Sequence, residues 1–96
     1  MNCLVTILTK LKVRDFEPWL ETFQKYADKR ADFGCKSETV YRPQRDAPSV
    51  EVYVMVEWSS EKAFEDYMGW LRPQAIAGNA GVLASPEHVV LGERAA

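Results

Sequence analysis

The sequence predicts an α+β fold with element order βαββαβ, a four-stranded antiparallel sheet carrying two helices on one face. Three observations carry this expectation. Val50–Trp58 alternates with period two, placing Val50, Val52, Val54, Val56 and Trp58 on one side and Tyr53 and Met55 on the other. Such a segment is a strand, and one that is apolar at the centre of both faces. From Phe16 the apolar spacing becomes helical, through Trp19, Leu20, Phe23 and Ala27. After Ser60 the same spacing returns in Phe64, Tyr67, Met68 and Leu71.

The first element, Cys3–Lys12, alternates and is rich in Val, Ile, Thr and Leu, with Val5, Ile7 and Leu11 on one side and Leu4 and Leu8 on the other. Asp15 offers a capping oxygen to the helix that follows, and Glu17 and Pro18 suit its first turn. One helix is expected from Phe16 to Gly34, which closes it as a residue free to adopt a left-handed backbone. Cys35–Arg42 is a weaker strand carried by Thr39, Val40 and Tyr41. Pro43–Ser49 is rich in turn formers and leads into the third strand. Ser59 or Ser60 caps the second helix, and Pro73 interrupts it, with a helical turn expected near Gln74–Ala77. Gly78-Asn79-Ala80-Gly81 reads as a loop. Pro86–Gly92 forms the last strand, with Val89 and Leu91 on one side and His88 and Val90 on the other. With right-handed crossovers this order gives the ferredoxin-like arrangement.

A chain of 96 residues, read as one domain over 1–96, has too little mass to cover both faces of its sheet. Leu4, Leu8, Tyr53, Met55 and either Tyr41 or Val40 fall on the face away from the helices. Leaving these side chains wet would forgo roughly 1.5–3 kcal/mol each. The expected remedy is a homodimer formed through that face. A hydrophobic content of 47% and a charged content of 27% are ordinary for a globular protein. The formal charge of −2 provides no field for nucleic acid, and no Lys/Arg run suggests a membrane surface. Nothing resembles a signal peptide or a membrane span, so the chain is expected to be cytoplasmic. Cys3 and Cys35 have no CxxC spacing and read as reduced structural residues.

The chain resembles the antibiotic-biosynthesis-monooxygenase-like group of the dimeric α/β-barrel superfamily over nearly its whole length. The likeness is carried by Val13-Arg14-Asp15-Phe16-Glu17-Pro18-Trp19 running into the first helix, and by that helix from Phe23 to Arg30. It continues in Val54-Met55-Val56-Glu57-Trp58 with its Ser-capped helix, and in Ser85–Glu93. The resemblance implies a homodimer whose two sheets face each other as a barrel, with a pocket in each protomer between sheet and helices. Members include cofactor-independent oxygenases of quinol-like aromatics, haem degraders, isomerases and proteins of no known activity. The haem degraders carry, besides a nearby tryptophan, a histidine ligand in the second helical region and an asparagine in the first helix. This chain has neither, since the former region reads Tyr67-Met68-Gly69-Trp70-Leu71-Arg72. Haem degradation is therefore not expected.

His88 is the only histidine, and so the only side chain with an ordinary pKa near neutrality. It is the candidate general base, with an ordinary strand residue as the alternative. Without a second histidine, HExxH or paired Cys/His spacing, no metal is expected, and no cofactor. Arg72 could stabilise an enolate or hold a phenolate or carboxylate, as could Arg30; either also reads as a snorkelling surface side chain. Tyr26, Tyr67 and Trp70 are candidate substrate-binding residues because each brings a polar atom that needs a partner when buried. Trp19, Phe23 and Phe64 could line a pocket for a flat apolar ligand, though aromatics at this helical spacing are more often plain core. Asn79 could orient a ligand carbonyl or simply form a loop.

Three functions remain open. One is oxygenation of a small aromatic or quinol-like molecule without cofactor, in which the substrate's own carbanion meets oxygen in a dry pocket. The second is a non-catalytic binder of a small apolar or aromatic ligand. The third is a structural homodimer with a filled core.

Overall fold

The structure is a computed structural model and describes residues 4–41, 50–74, 81–83 and 85–92. Its elements are β1 (Val5–Val13), α1 (Phe16–Lys25), α2 (Ala27–Phe33), β2 (Cys35–Tyr41), β3 (Val50–Trp58), α3 (Glu61–Leu71), a 3-10 turn (Arg72–Gln74) and β4 (Glu87–Leu91). The four strands form one antiparallel sheet in the order β2-β3-β1-β4. This is the ferredoxin-like α+β topology expected from the pattern of the sequence.

Strand register decides which side chains meet the helices. Ile7 lies opposite Val56 on β3 and Val90 on β4, and Thr9 opposite Val54 and His88. Because side chains alternate along each strand, one face gathers Ile7, Leu11, Val13, Val52, Val54, Val56 and Trp58, all buried. Trp19 of α1 and Ala63 and Tyr67 of α3 complete that core.

The other face carries the row Val89–Leu8–Met55–Thr39 across all four strands, with Tyr53 opposite Tyr41 beside it. Tyr41, Tyr53, Val89 and Leu91 are exposed. Register resolves the choice between Tyr41 and Val40: Val40 pairs with Val54 and packs against the core, leaving Tyr41 on the open face.

The single helix expected from Phe16 to Gly34 is two helices. At Tyr26 the backbone leaves the helical region (φ −100°, ψ 12°), and the helix restarts with Arg30 N–H bonding Tyr26 O at 3.0 Å. Asp15 holds the N-cap position, yet its side chain makes no capping bond. Of the two serines considered for α3, Ser60 is the cap, its hydroxyl accepting from Ala63 N–H at 3.1 Å.

Gly34 ends α2 in the left-handed region (φ 117°), as expected. A Cβ there would stand 2.5 Å from Ser59 Oγ, so the junction also needs glycine for space. Gly34 O accepts from Ser59 N–H at 2.8 Å, tying the start of β2 to the end of β3.

Beyond α3 the observed turn is Arg72–Gln74; the expected turn's remainder, 75–77, lies outside the described residues, as do Cys3, the loop 43–49 and Asn79. The chain then lies along the end of β1, through a Val13–Val82 bridge and Leu83 N–H to Lys12 O at 2.9 Å, before entering β4. Among the described residues no helix is long and apolar enough to cross a membrane.

Candidate functional site

Between the helix face of the sheet and the helices lies a cavity of about 140 Å³, partly open to solvent. Its floor is built from Ile7, Thr9 and Leu11 of β1 and Val54, Val56 and Trp58 of β3. Trp19, Phe23 and Tyr26 cover it from the first helical region, and Phe64, Tyr67, Met68 and Leu71 from α3. His88 closes one side. Trp19, Phe23 and Phe64, open from the sequence between pocket wall and plain core, line the space.

A chain of neighbouring rings runs along the wall. The His88 ring lies 5.2 Å from Phe64, Phe64 5.9 Å from Trp58, and Trp58 5.3 Å from Tyr67. Trp70 stands behind this wall, 6.0 Å from Tyr67 and 6.2 Å from Tyr26, and is not a lining residue. Of the sequence candidates, the fold thus brings Tyr26, Tyr67 and His88 into one cavity and leaves Trp70 supporting two of them. Arg72 is exposed and does not line the cavity.

His88 reaches the cavity because β4 pairs with β1 in a register that sets it beside Thr9. The Thr9 hydroxyl and His88 Nδ1 are 2.8 Å apart. A hydroxyl can serve either imidazole tautomer, so this bond orients the ring in both. Burial lowers the His88 pKa below its ordinary value, and the positive charge of Arg72 lowers it further. At neutral pH the imidazole is therefore uncharged, as a general base must be.

On the opposite side Arg30 is buried, only 3% exposed. Its Nε donates to Glu38 Oε2 at 2.6 Å, and its Nη2 to Glu38 Oε1 at 3.1 Å and to Phe23 O at 2.8 Å. The guanidinium carbon stands 3.7 Å from the centre of the Phe23 ring. Burial alone would lower the Arg30 pKa, but the hydrogen bonds it donates to Glu38 and Tyr67, together with the Glu38 charge, hold it above the ordinary arginine value. Tyr67, mainly through burial, has its pKa raised against the opposing pull of Arg30, so it keeps its proton.

Cys35 lies next to this pair. Burial and the Glu38 carboxylate push its thiol up to about 11, which makes it a poor nucleophile. No group of three or more His, Cys, Asp or Glu side chains is arranged to hold a metal ion among the described residues.

Sequence reasoning missed the Glu38 partner of Arg30, the Thr9 partner of His88 and the place of Trp58 in the floor. Thr9 and Trp58 could have been found, since both fall on the inward side of period-two strands. Glu38 could not, because its position depends on how β2 registers against β3.

No family model matches the sequence, and no curated protein sequence does. Solved structures do. SnoaB, a cofactor-independent oxygenase from Streptomyces nogalater, superposes with a TM-score of 0.74 at 21% identity, covering 98% of this chain and 96% of its own. A monooxygenase from the gene ActVA-Orf6 of Streptomyces coelicolor, in complex with nanaomycin D, gives 0.63 at 15% identity over 99% and 91%. A dimeric ferredoxin-like protein from an uncultured marine organism gives 0.65 at 10% identity over 95% and 97%. At these identities the likeness speaks for architecture: the chain has the ferredoxin-like fold of the antibiotic-biosynthesis-monooxygenase-like structures, as its sequence resemblance implied.

Proposed function

We propose that the protein is a cofactor-independent monooxygenase-like enzyme acting on a small aromatic or quinol-like molecule. The observation that carries this reading is an aromatic-walled cavity with His88, uncharged at neutral pH, at its side. The chemistry asks little of the protein: His88 removes a proton from the substrate, and the resulting carbanion donates electrons to oxygen. When a ring CH₂ becomes C=O, one atom of O₂ enters the carbonyl and the other leaves as water. Tyr26 and Tyr67 are the proposed contacts to the substrate's oxygen atoms, with Trp70 bracing both rings. Arg72 acts by its charge on His88. SnoaB, with a similar fold, is a cofactor-independent oxygenase, which favours this reading over an unrelated reaction.

The proposed partner is a second copy of the chain, joined through the open sheet face. The apolar row Val89–Leu8–Met55 and the exposed Tyr41 and Tyr53 support it, and one structure of the same fold is dimeric.

Oxygen uptake measured with single-ring hydroquinones, naphthalene diols and anthrone tests the enzymatic reading. The expected result is uptake above autoxidation that falls by a factor of about 100 or more in His88→Ala. Binding of these molecules without uptake would instead make the protein a non-catalytic binder.

A further inference from the structure

A second concave space lies outside the cavity, between α1 and the edge of the sheet. It is an open groove of about 400 Å³, lined by Phe16, Leu20, Phe23 and Gln24 of α1 and by Glu38 and Val40 of β2. β2 is the outermost strand and pairs only with β3, so no further strand covers the groove among the described residues. Phe16, Leu20 and Phe23 follow one another at helical spacing and form an apolar ridge, each side chain only half-buried. Among the described lining residues Glu38 is the one ionisable group, and Gln24 the one other polar group.

A carboxylate accepts at about four lone-pair positions. Arg30 takes two of those of Glu38, through Nε and Nη2, and Cys35 Sγ approaches Oε2 as a weak donor at 3.9 Å. The Glu38 side chain is nonetheless 25% exposed, against 4% for Arg30, so its spare acceptor capacity is on the groove side. One ion pair thus spans two spaces: its arginine lines the inner cavity, its glutamate the outer groove, and Phe23 borders both.

We propose that the groove is a second binding site, one that takes a small organic cation. Its ammonium group bonds Glu38, and its apolar ring or chain lies along Phe16 and Leu20. The lining sets this class. A calcium or magnesium ion needs several oxygen ligands, and only Glu38 and Gln24 offer any. An anion would meet the carboxylate with the guanidinium buried behind it. A neutral apolar molecule would strip water from the exposed carboxylate oxygens and give nothing back. The site does not depend on the cavity being a ligand site, yet the two are linked. An ammonium group on Glu38 draws that charge away from Arg30 and leaves the guanidinium more positive toward the cavity. A cation in the groove and an anion in the cavity therefore strengthen each other's binding by the same factor.

The test compares benzylammonium with benzyl alcohol, the same ring with and without the charge. Binding is followed by NMR through the amide signals of Gln24 and Val40, which border the groove and not the cavity. Benzylammonium should bind about threefold more tightly, the gain of a partly exposed ion pair. That preference should vanish in Leu20→Lys, which sets an ammonium group of the chain itself beside Glu38. Where this variant fails to fold, the wild-type protein carries a second readout. The Arg30 Nε–H signal, bonded to Glu38 at 2.6 Å, should shift with benzylammonium and not with benzyl alcohol.

Equal affinity of the two probes, a preference that survives in Leu20→Lys, or an unmoved Arg30 Nε–H signal would overturn the site. Absence of binding by both probes would do the same. A change of molecular mass in Leu20→Lys by light scattering would then give the groove to a second copy of the chain.

Discussion

Removing Glu38 should expose how strongly the buried Arg30 depends on it. In Glu38→Ala the guanidinium keeps its bond to Phe23 O and its place over the Phe23 ring, but loses both bonds to the carboxylate. Breaking a fully buried pair costs about 3–5 kcal/mol, because the remaining charge stays uncompensated. The Arg30 side chain is 4% exposed and that of Glu38 25%, so water at the vacated Glu38 position offsets part of this. The expected loss is about 2–3 kcal/mol, a large share of the stability of a small domain. At about 4–8 °C per kcal/mol for a chain of this size, the melting temperature should fall by roughly 8–24 °C. Urea unfolding and thermal melts at one fixed protein concentration would measure it, since association would make both concentration-dependent. The double change Arg30→Met with Glu38→Leu should recover most of the loss, because it removes the charge as well as its partner. A loss below about 1 kcal/mol, the value of a surface pair, would refute the reasoning. So would a double variant no more stable than Glu38→Ala.

Protonation of His88 should destabilise the fold. Its folded pKa lies below the unfolded value near 6.5, so the unfolded chain binds the proton first as pH falls. Stability present above about pH 6.5 is then lost as pH drops toward the folded pKa, and His88→Gln should remove that part of the slope in urea unfolding. Arg72→Gln should raise the His88 pKa only part of the way back, as read by an NMR titration, because burial is the larger cause. An unmoved pKa would contradict the influence assigned to Arg72. Gly34→Ala should cost at least about 2 kcal/mol by chemical denaturation, from its left-handed backbone and the 2.5 Å approach to Ser59 Oγ. Adding Ser59→Gly should regain part of that loss. Leu8→Glu, at the centre of the open face, should yield monomer by light scattering; a dimer that persists would place the interface elsewhere.

The features legible in the sequence were those that depend on local spacing. β1, β3 and α3 follow directly from period two or period 3.6, and Gly34 announces the end of α2. The break at Tyr26 was hidden because the apolar spacing Phe23, Ala27, Arg30 runs through it without a proline or glycine. The direction of His88 depended on pairing with Thr9, a contact between residues 79 positions apart that spacing cannot encode. Arg30 was visible as a cation near an apolar stripe, but its burial required Glu38 from another element. Trp58 was legible as an inward strand residue, whereas the lack of a hydrogen-bond partner for its buried Nε1 among the described residues depends on everything around it.

His88 hangs from the least anchored strand of the sheet. β4 spans five residues, pairs only with β1 and leaves its outer edge free among the described strands. Local opening in proteins concentrates in such segments, whose few neighbours hold them weakly. The imidazole is therefore placed by the element from which local opening of the sheet is expected to start. Its exposure to solvent protons, and the geometry of the Thr9 bond, follow the fraying of this one edge. A molecule that covered the edge would steady the histidine without touching the cavity.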